Sequence, residues 1–222
     1  GVRVTGSNSA IRNSDTFNLE RVEVLKGPAS VLYGEGALAG AISLVPKRAH
    51  LEGNSGESLI SLGSFDTLRA GLGGNLVLGD SAALRADASF SRSSGWVDDT
   101  DSLTGAVTAS LLLKPTDRLT LTLSGDYSHD DYSTAYFGST LVPAAVARDP
   151  SGLVRNGQGL VLDRATIRRN YNVEDGEMTS TAWQLRARVD YQLSERWIVS
   201  NELAGYTADR LWKNSEDVTF NA

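Results

Sequence analysis

The residues best suited to metal binding lie within one short polar stretch. Asp126, His129, Asp130 and Asp131 place three carboxylates and an imidazole close together in the chain, and these donors could hold a divalent cation. The same composition is typical of a solvated acidic rim at the end of a β-strand, which is the interpretation we favour. We therefore predict no metal site and no cofactor.

Two further patterns suggest enzyme chemistry at first sight. In Gly34-x-Gly36-x-x-x-Gly40, three residues separate the last two glycines, whereas the dinucleotide-binding fingerprint requires two. Ser30 follows Gly-Pro-Ala and does not lie in the G-x-S-x-G pattern of a nucleophile elbow. Tight turns explain these glycines better than a phosphate loop, so we predict no enzymatic activity.

Composition narrows the remaining classes of protein. The 222 residues include no cysteine, which excludes disulfides and thiolate metal sites. A net charge of −6 and a pI near 5.0 argue against a general nucleic-acid binder. The chain lacks a run of about 18 apolar residues, which excludes a transmembrane helix. A membrane β-barrel stays open, because its strands alternate between apolar and polar residues.

The elements that position the polar residues are predicted to be β-strands. After residue 56, apolar and polar residues alternate in one segment after another, as Leu119, Leu121 and Leu123 do with their neighbours. Seven strands are predicted, at about 57–64, 67–78, 82–93, 104–114, 119–131, 179–193 and 197–211, with all five prolines outside them. Their polar faces carry the charged residues Arg85, Asp87, Arg186, Arg188 and Asp190.

The connections between these strands alternate in length. Short turns near 79–81, 115–118 and 194–196 alternate with longer connections at 94–103 and 132–178. Outer-membrane barrels have this arrangement, with short periplasmic turns and long extracellular loops. The turn at 64–66 is a short exception on the long-loop side.

A two-sheet sandwich would also alternate, but three features favour a barrel. Several predicted strands run to about 13–15 residues, whereas globular strands usually have about 5–6. Trp183 and Tyr191 are separated along one apolar face by roughly 20 Å, close to the height of the lipid band between aromatic girdles. The polar face is densely charged, and a one-residue slip would turn those charges toward lipid, so we expect them to face a wet or protein-filled lumen.

The first 48 residues differ from the rest of the chain. They carry six positive and four negative charges, whereas the remainder carries fifteen and twenty-three. Strands are predicted at 20–25 and 41–45, with a short helix from Pro28 to Tyr33 that Gly34 ends. This segment predicts a small α+β unit that is too short to bury a core alone.

Several segments form a series that a known family shares in the same order. They are LERVEVLKGPASVLYG at 19–34, GAISLVPKR at 40–48, DTFN at 15–18, LGSFDT at 62–67, RRNYN at 168–172, and NEL and ADR at 201–203 and 208–210. The first three resemble the plug domain of TonB-dependent outer-membrane receptors, especially siderophore receptors. The others resemble the first barrel hairpin, the third outer loop and a following strand of that family.

The resemblance implies a globular plug inside a 22-stranded transmembrane β-barrel. At about 22 residues per strand, that barrel alone would need roughly 490 residues, so we interpret the chain as an internal fragment. The expected parts are the end of the plug at 1–48, a linker at 49–56 and the start of the barrel at 57–222. The expected fold class is thus an all-β transmembrane barrel, contributing about seven antiparallel strands, preceded by part of an α+β plug.

The resemblance also implies a function and partners. The family takes up ferric siderophores across the Gram-negative outer membrane with energy supplied through the TonB protein. We therefore expect a ferric siderophore, outer-membrane lipid and TonB as partners, no nucleic acid, and a monomeric complete barrel. Cobalamin, another metal chelate or a glycan are alternative substrates. A passive porin is disfavoured, because a diffusion pore needs no plug.

Individual residues carry the same implications. The plug motif contains Arg21, Glu23, Lys26, Gly27, Pro28, Tyr33 and Gly34. We hypothesise that Arg21 or Lys26 forms weak ion pairs with the barrel wall. The candidate substrate-binding residues are Tyr132, Tyr136, Phe137, Arg164, Arg168, Arg169 and Tyr171. These could stack on a catechol or pair with an anionic chelate, and an ordinary polar loop is the alternative.

Overall fold

The computed structural model describes residues 15–27, 40–133 and 138–215, whose regular structure is almost entirely β-strand. The strands are β1 (Leu19–Lys26), β2 (Gly40–Pro46), β3 (Ser55–Gly63), β4 (Thr67–Val77), β5 (Ala82–Ser93), β6 (Ser102–Thr116), β7 (Leu119–Tyr132), β8 (Leu141–Pro143), β9 (Pro150–Arg155), β10 (Leu160–Asp163), β11 (Glu177–Ser194) and β12 (Trp197–Lys213). A 3₁₀ turn, Arg164–Thr166, follows β10. Within these ranges, no helix is long and apolar enough to cross a membrane.

The largest element is a seven-stranded antiparallel sheet in the order β12-β11-β7-β6-β5-β4-β3. Each strand pairs with its neighbour in the chain, except that β7 and β11 pair across the long connection between them. The predicted seven strands are confirmed, and β5 has the predicted limits. The strands reach 18 residues in β11, a length that suits a barrel wall better than a sandwich.

Within the seven-stranded sheet, one proline departs from the predicted pattern. The alternation places Pro115 outside the strands, but it lies near the end of β6. The pairing of β6 with β7 changes register between Leu113 and Thr116. Pro115 therefore lies where the regular ladder is interrupted, and its missing N–H removes no regular ladder bond.

Burial across the large sheet is the reverse of that in a water-soluble core, as β5 illustrates. Arg85 and Asp87 are 7% and 2% exposed, whereas Leu84 and Phe90 on the opposite face are 41% and 37% exposed. The polar side is covered because the N-terminal segment lies on it. We call this covered polar side the inner face and the exposed apolar side the outer face.

The connection between β7 and β11 has structure that the predicted loop at 132–178 lacked. Strands β8, β10 and β9 form a small three-stranded sheet in that order. The carboxylate of Asp163 accepts hydrogen bonds from the amides of Arg148, Asp149 and Ala165 at 3.0, 2.9 and 3.1 Å. The bonds from Arg148 and Asp149 lead in lowering the pKa of Asp163 below its ordinary value, so the carboxylate stays charged and closes the small sheet.

The N-terminal segment is an antiparallel hairpin of β1 and β2, which confirms the two predicted strands. One of its faces is apolar and exposed, with Val22 and Leu44 opposite each other and Val24 opposite Ile42. The predicted short helix from Pro28 to Tyr33, and Gly34 after it, lie outside the described residues.

Candidate functional site: the contact between the hairpin and the inner face

The N-terminal end of the hairpin is bound to β4 by a charged pair. The Arg69 guanidinium donates from Nε to Asp15 Oδ2 at 2.6 Å and from Nη2 to Oδ1 at 2.8 Å. The amide of Phe17 also donates to Asp15 Oδ1 at 2.7 Å. Burial would raise the pKa of Asp15, but the hydrogen bonds from Arg69 and the Phe17 amide outweigh it and lower that pKa below 3.8. Asp15 is therefore a charged anchor at neutral pH.

A gap in the inner face admits an aromatic ring beside this pair. A methyl group at Gly71 would lie 2.7 Å from the ring carbons of Phe17, so the ring fits only because position 71 has no side chain. The ammonium of Lys47 lies 4.4 Å from the centroid of the same ring, within the range of a cation–π contact. The ring is thus held between a strand of the sheet and the end of the hairpin.

A cluster of four charges lies next to the ring on the inner face. Glu57 accepts from Lys47 at 2.6 Å and also pairs with Arg85. Arg85 in turn donates two hydrogen bonds of 2.8 Å to Asp87. A side chain at Gly73 would overlap the Asp87 carboxylate, so this second glycine keeps the buried pair in place. A buried charge is costly without a partner. Lys47, which follows the hairpin, supplies the second positive charge of the cluster.

The segment after β2 continues down the inner face. Arg48 donates to both carboxylate oxygens of Asp126 at 3.4 Å. The next amide, that of Ala49, donates to Ser110 Oγ at 2.7 Å. Further along, Asn54 Oδ1 accepts from the amide of Val77 at 2.7 Å.

Asn75 of β4 forms the most complete contact with this segment. Its Oδ1 accepts from the His50 amide at 3.1 Å, and its Nδ2 donates to the carbonyls of His50 and Gly53 at 2.9 and 2.8 Å. Asn75 is 3% exposed. Because all three bonds go to backbone atoms, Asn75 holds this segment in place whatever side chains the segment carries.

Comparison with known proteins identifies the two bodies in this contact. The family model described as TonB-dependent Receptor Plug Domain matches residues 1–41. The probable TonB-dependent receptor BfrD of Bordetella pertussis is 34% identical over 194 residues, which cover 81% of this chain and 26% of BfrD. The chain belongs to the TonB-dependent receptor family.

Other receptors give the same result. The catecholate siderophore receptor Fiu of Escherichia coli strain K12 is 40% identical over 85 residues, which cover 38% of this chain and 10% of Fiu. The metal-pseudopaline receptor CntO of Pseudomonas aeruginosa strain UCBPP-PA14 is 29% identical over 197 residues, covering 82% of this chain and 24% of CntO.

The fold is shared as well. The crystal structure of the ferric-catecholate import receptor Fiu in its open form matches with a TM-score of 0.74 at 22% identity, covering 88% of this chain and 29% of Fiu. The chain therefore spans about a quarter of the length of such receptors. The hairpin is plug, and the seven-stranded sheet is part of a barrel wall. The domain limits at residues 48 and 56 stay predictions.

The plug–wall ion pairs differ from those hypothesised from the plug motif. Arg21 pairs with Glu23 of its own strand at 2.7 Å. Within the described ranges, the pairs between plug and wall come from Asp15, Lys47 and Arg48, at the end of the hairpin where Leu19 pairs with Pro46, and neither Arg21 nor Lys26 contributes one. Lys26 pairs with Gly40 at the opposite end of the hairpin. Gly27 has a φ of +95° just after β1, and Pro28, Tyr33 and Gly34 lie outside the described residues.

The charged residues predicted on the polar faces lie on the inner face. Arg85 and Asp87 are buried in the cluster described above. On β11, Arg188 donates two hydrogen bonds of 2.8 Å to Asp190, and Arg186 donates to Gln184 at 3.0 Å. These side chains are half-buried or exposed because none of the described plug residues reaches β11 by a hydrogen bond.

The candidate substrate-binding residues divide into three groups. Tyr132 lines a cavity of about 250 Å³ at the long-loop end of the inner face, together with Asp15, Thr16, Arg69, Ser91, Ser102 and Thr104. Arg164 and Arg168 lie in the long connection, paired with Asp149 at 2.6 Å and Asp98 at 3.8 Å.

The remaining candidates are not brought to the cavity. Arg169 is exposed and Tyr171 is half-buried in the same connection. Tyr136 and Phe137 lie outside the described residues. The structure therefore assembles one candidate, Tyr132, with plug residues, and leaves the cations at the rim.

The acidic stretch near the end of β7 is separated by the pleat of the strand. Asp126 and Asp130 point to the inner face, where Asp126 binds Arg48. His129 lies on the outer face, where Nδ1 is 2.9 Å from Thr181 Oγ1. Over the described ranges, no group of three or more potential metal ligands is present.

Sequence reasoning missed most residues that hold the plug. Asp15, Arg69, Asn75 and Ser110 carry no distinctive spacing, because each acts through a partner far away in the chain. One signal was present: Gly71 and Gly73 alternate along β4, on the face that the pattern turns inward. Glycines in a strand indicate close approach of other backbone or side chains.

Proposed function

We propose that this chain forms the end of the plug and the first seven wall strands of a receptor that imports ferric siderophores across the outer membrane. The observation that carries the proposal is the reversed burial of the sheet. A polar inner face binds a plug segment, while the outer face exposes Leu72, Trp183, Leu185 and Leu203. A bilayer would cover that outer face, and the plug would close the lumen.

The plug–wall contact suits a gate that opens on demand. The ion pairs of Asp15, Lys47 and Arg48 lie in or near a wet lumen, where such contacts are individually weak. TonB would supply the force that displaces the plug, and the substrate would then pass along the charged inner face. Recognition needs no covalent chemistry, because the chelator already holds the iron.

The substrate class rests on the relatives. Fiu is a catecholate siderophore receptor, and aromatic and cationic residues at the long-loop end could stack on catechols or pair with an anionic chelate. The test is growth of a deletion strain under iron limitation on a panel of ferric catecholate, hydroxamate and carboxylate chelates. A chelate-specific defect that the wild-type gene restores is the expected result. Unimpaired growth on every chelate would refute iron uptake.

A second candidate is uptake of a different metal chelate. CntO, named as a metal-pseudopaline receptor, matches over 82% of this chain, a longer stretch than Fiu matches. The same deletion strain should then show reduced accumulation of a metal other than iron. Measurement of cellular zinc, nickel and cobalt beside iron separates the two candidates.

A further inference from the structure

The turn between β3 and β4 has an unusual backbone. Phe65 and Asp66 have φ values of +60° and +52°, the left-handed conformation that two-residue hairpins normally give to Asn-Gly. A bulky side chain is rare there, so the position has a requirement other than turn formation.

The neighbouring turn holds Phe65 in this conformation. The carbonyl of Phe65 accepts hydrogen bonds from the amide of Ser94 at 2.8 Å and from Ser94 Oγ at 2.7 Å. These bonds join the β3–β4 turn to the connection between β5 and β6. Phe65 itself stays 46% exposed.

The ring lies against the long connection. The guanidinium carbon of Arg168 is 5.9 Å from the Phe65 ring centroid, within cation–π range. The Arg168 carbonyl accepts from the amide of Asp98 at 2.7 Å, and its Nη2 lies 3.8 Å from Asp98 Oδ1. Asn170 adds a bond of 3.2 Å to the carbonyl of Asp99. Three separate connections at one end of the wall thus meet at Phe65 and Arg168.

We propose that Phe65 is a positioning residue that holds the guanidinium of Arg168 at the rim of the lumen, where Arg168 binds the anionic chelate. The proposal rests on the proposed function for its ligand. A glycine would adopt the turn with less strain, and a phenylalanine is needed only if its ring has a contact to make. The exposed Asp98 pair alone holds Arg168 weakly, and the Phe65 ring adds a second contact to the guanidinium.

The experiment uses the full-length receptor with Phe65→Gly, Phe65→Tyr and Arg168→Gln. Hydrogen exchange is measured at the amides of Asp98, which reports on the Arg168 contact, and Thr67, which reports on the turn. Phe65→Gly should speed exchange at Asp98 at least fivefold and leave Thr67 unchanged, and Phe65→Tyr should resemble wild type. Unchanged exchange at Asp98 in Phe65→Gly overturns the contact.

Uptake of ferric 2,3-dihydroxybenzoate tests the consequence for the ligand. Phe65→Gly and Arg168→Gln should each raise the half-saturating concentration at least threefold with an unchanged maximal rate, and the double variant should be no worse than Arg168→Gln. Faster exchange with an unchanged half-saturating concentration would overturn the positioning role. Absence of uptake by wild type would count against the proposed catecholate substrate, whereas the exchange measurement would still decide the contact.

Discussion

The side chain of Asn75 binds the backbone of His50 in both directions, accepting from its amide at 3.1 Å and donating to its carbonyl at 2.9 Å. One side chain thereby replaces a neighbouring β-strand for this residue. The segment after the plug hairpin follows the wall as if it were a further strand, although it lies on the face of the sheet. The Asn75 contact does not depend on charge, unlike the ion pairs of Asp15, Lys47 and Arg48 with the wall.

Asn75→Asp should release this segment. The carboxylate can still accept from His50, but both donated bonds are lost and two carbonyls are left without their donor. Each unsatisfied buried group costs about 1–3 kcal/mol, so exchange at the His50 amide should accelerate by roughly thirtyfold or more. Hydrogen exchange on the full-length receptor measures it. Asn156→Asp is the matched control, because Asn156 accepts two amides with Oδ1 and keeps both; similar exchange at His50 in the two variants would contradict the prediction.

Gly71→Ala should displace the plug at its first contact. The added methyl group would collide with the Phe17 ring, and overpacking of this kind costs about 1–3 kcal/mol. We expect faster exchange at Phe17 and greater entry of bulky antibiotics through the receptor. Gly205→Ala on β12 is the control, since a methyl group there meets nothing within 4 Å. Equal antibiotic entry in both variants would show that the ring tolerates a displaced position.

The anchor at Asp15 should resist mild acid. Its pKa is lowered below 3.8 in the folded protein, so its contribution to stability is complete above that value and disappears as pH falls through the lower folded pKa. Exchange protection at the Phe17 amide, corrected for intrinsic rates, should be constant from about pH 7 to pH 5 and decline only below the ordinary titration range. Asp15→Asn should lower the protection at neutral pH and remove the part of its pH dependence that comes from residue 15. A decline already near neutral pH would assign the loss to another group.

Insertion of a charge should be tolerated on one face of β11 only. Leu185, 64% exposed on the outer face, lies at the middle of the strand, where an arginine in lipid costs about 2–4 kcal/mol. Leu185→Arg should therefore reduce the amount of folded receptor in the outer membrane, measured by its heat-modifiable mobility on gels. Ala182→Arg places the same side chain on the inner face, opposite Ser128 of β7, and should assemble normally. Equal assembly of the two would mean that the outer face does not meet lipid.

Alternation predicted the wall well and the contacts poorly. The period-2 pattern placed β5 within its observed limits, because one polar and one apolar face constrain every residue of the strand. Strands β8 and β10 have only three and four residues, too few for a periodic signal, so their small sheet was not predicted.

The contacts between plug and wall could not be predicted from the sequence for a different reason. Asp15 and Arg69 meet across 54 positions of the chain, and no local property of either residue specifies the other. Arg21 and Lys26 were proposed because they belong to a motif. The residues that pair with the wall are instead those at the end of the hairpin that reaches it. The glycines of β4 were the one local sign in the sequence that other residues pack closely against that strand.

The reversed burial of β5 has a consequence for natural variation. If lipid covers the outer face, as proposed, Leu84 and Phe90 need only be apolar, because lipid chains conform to any shape, and we expect aliphatic and aromatic residues to be interchangeable there. Ala83, fully buried, and Asp87, 2% exposed, face fitted neighbours and tolerate little. We therefore expect damaging changes in this strand to fall on its small and polar positions and not on its large hydrophobic ones.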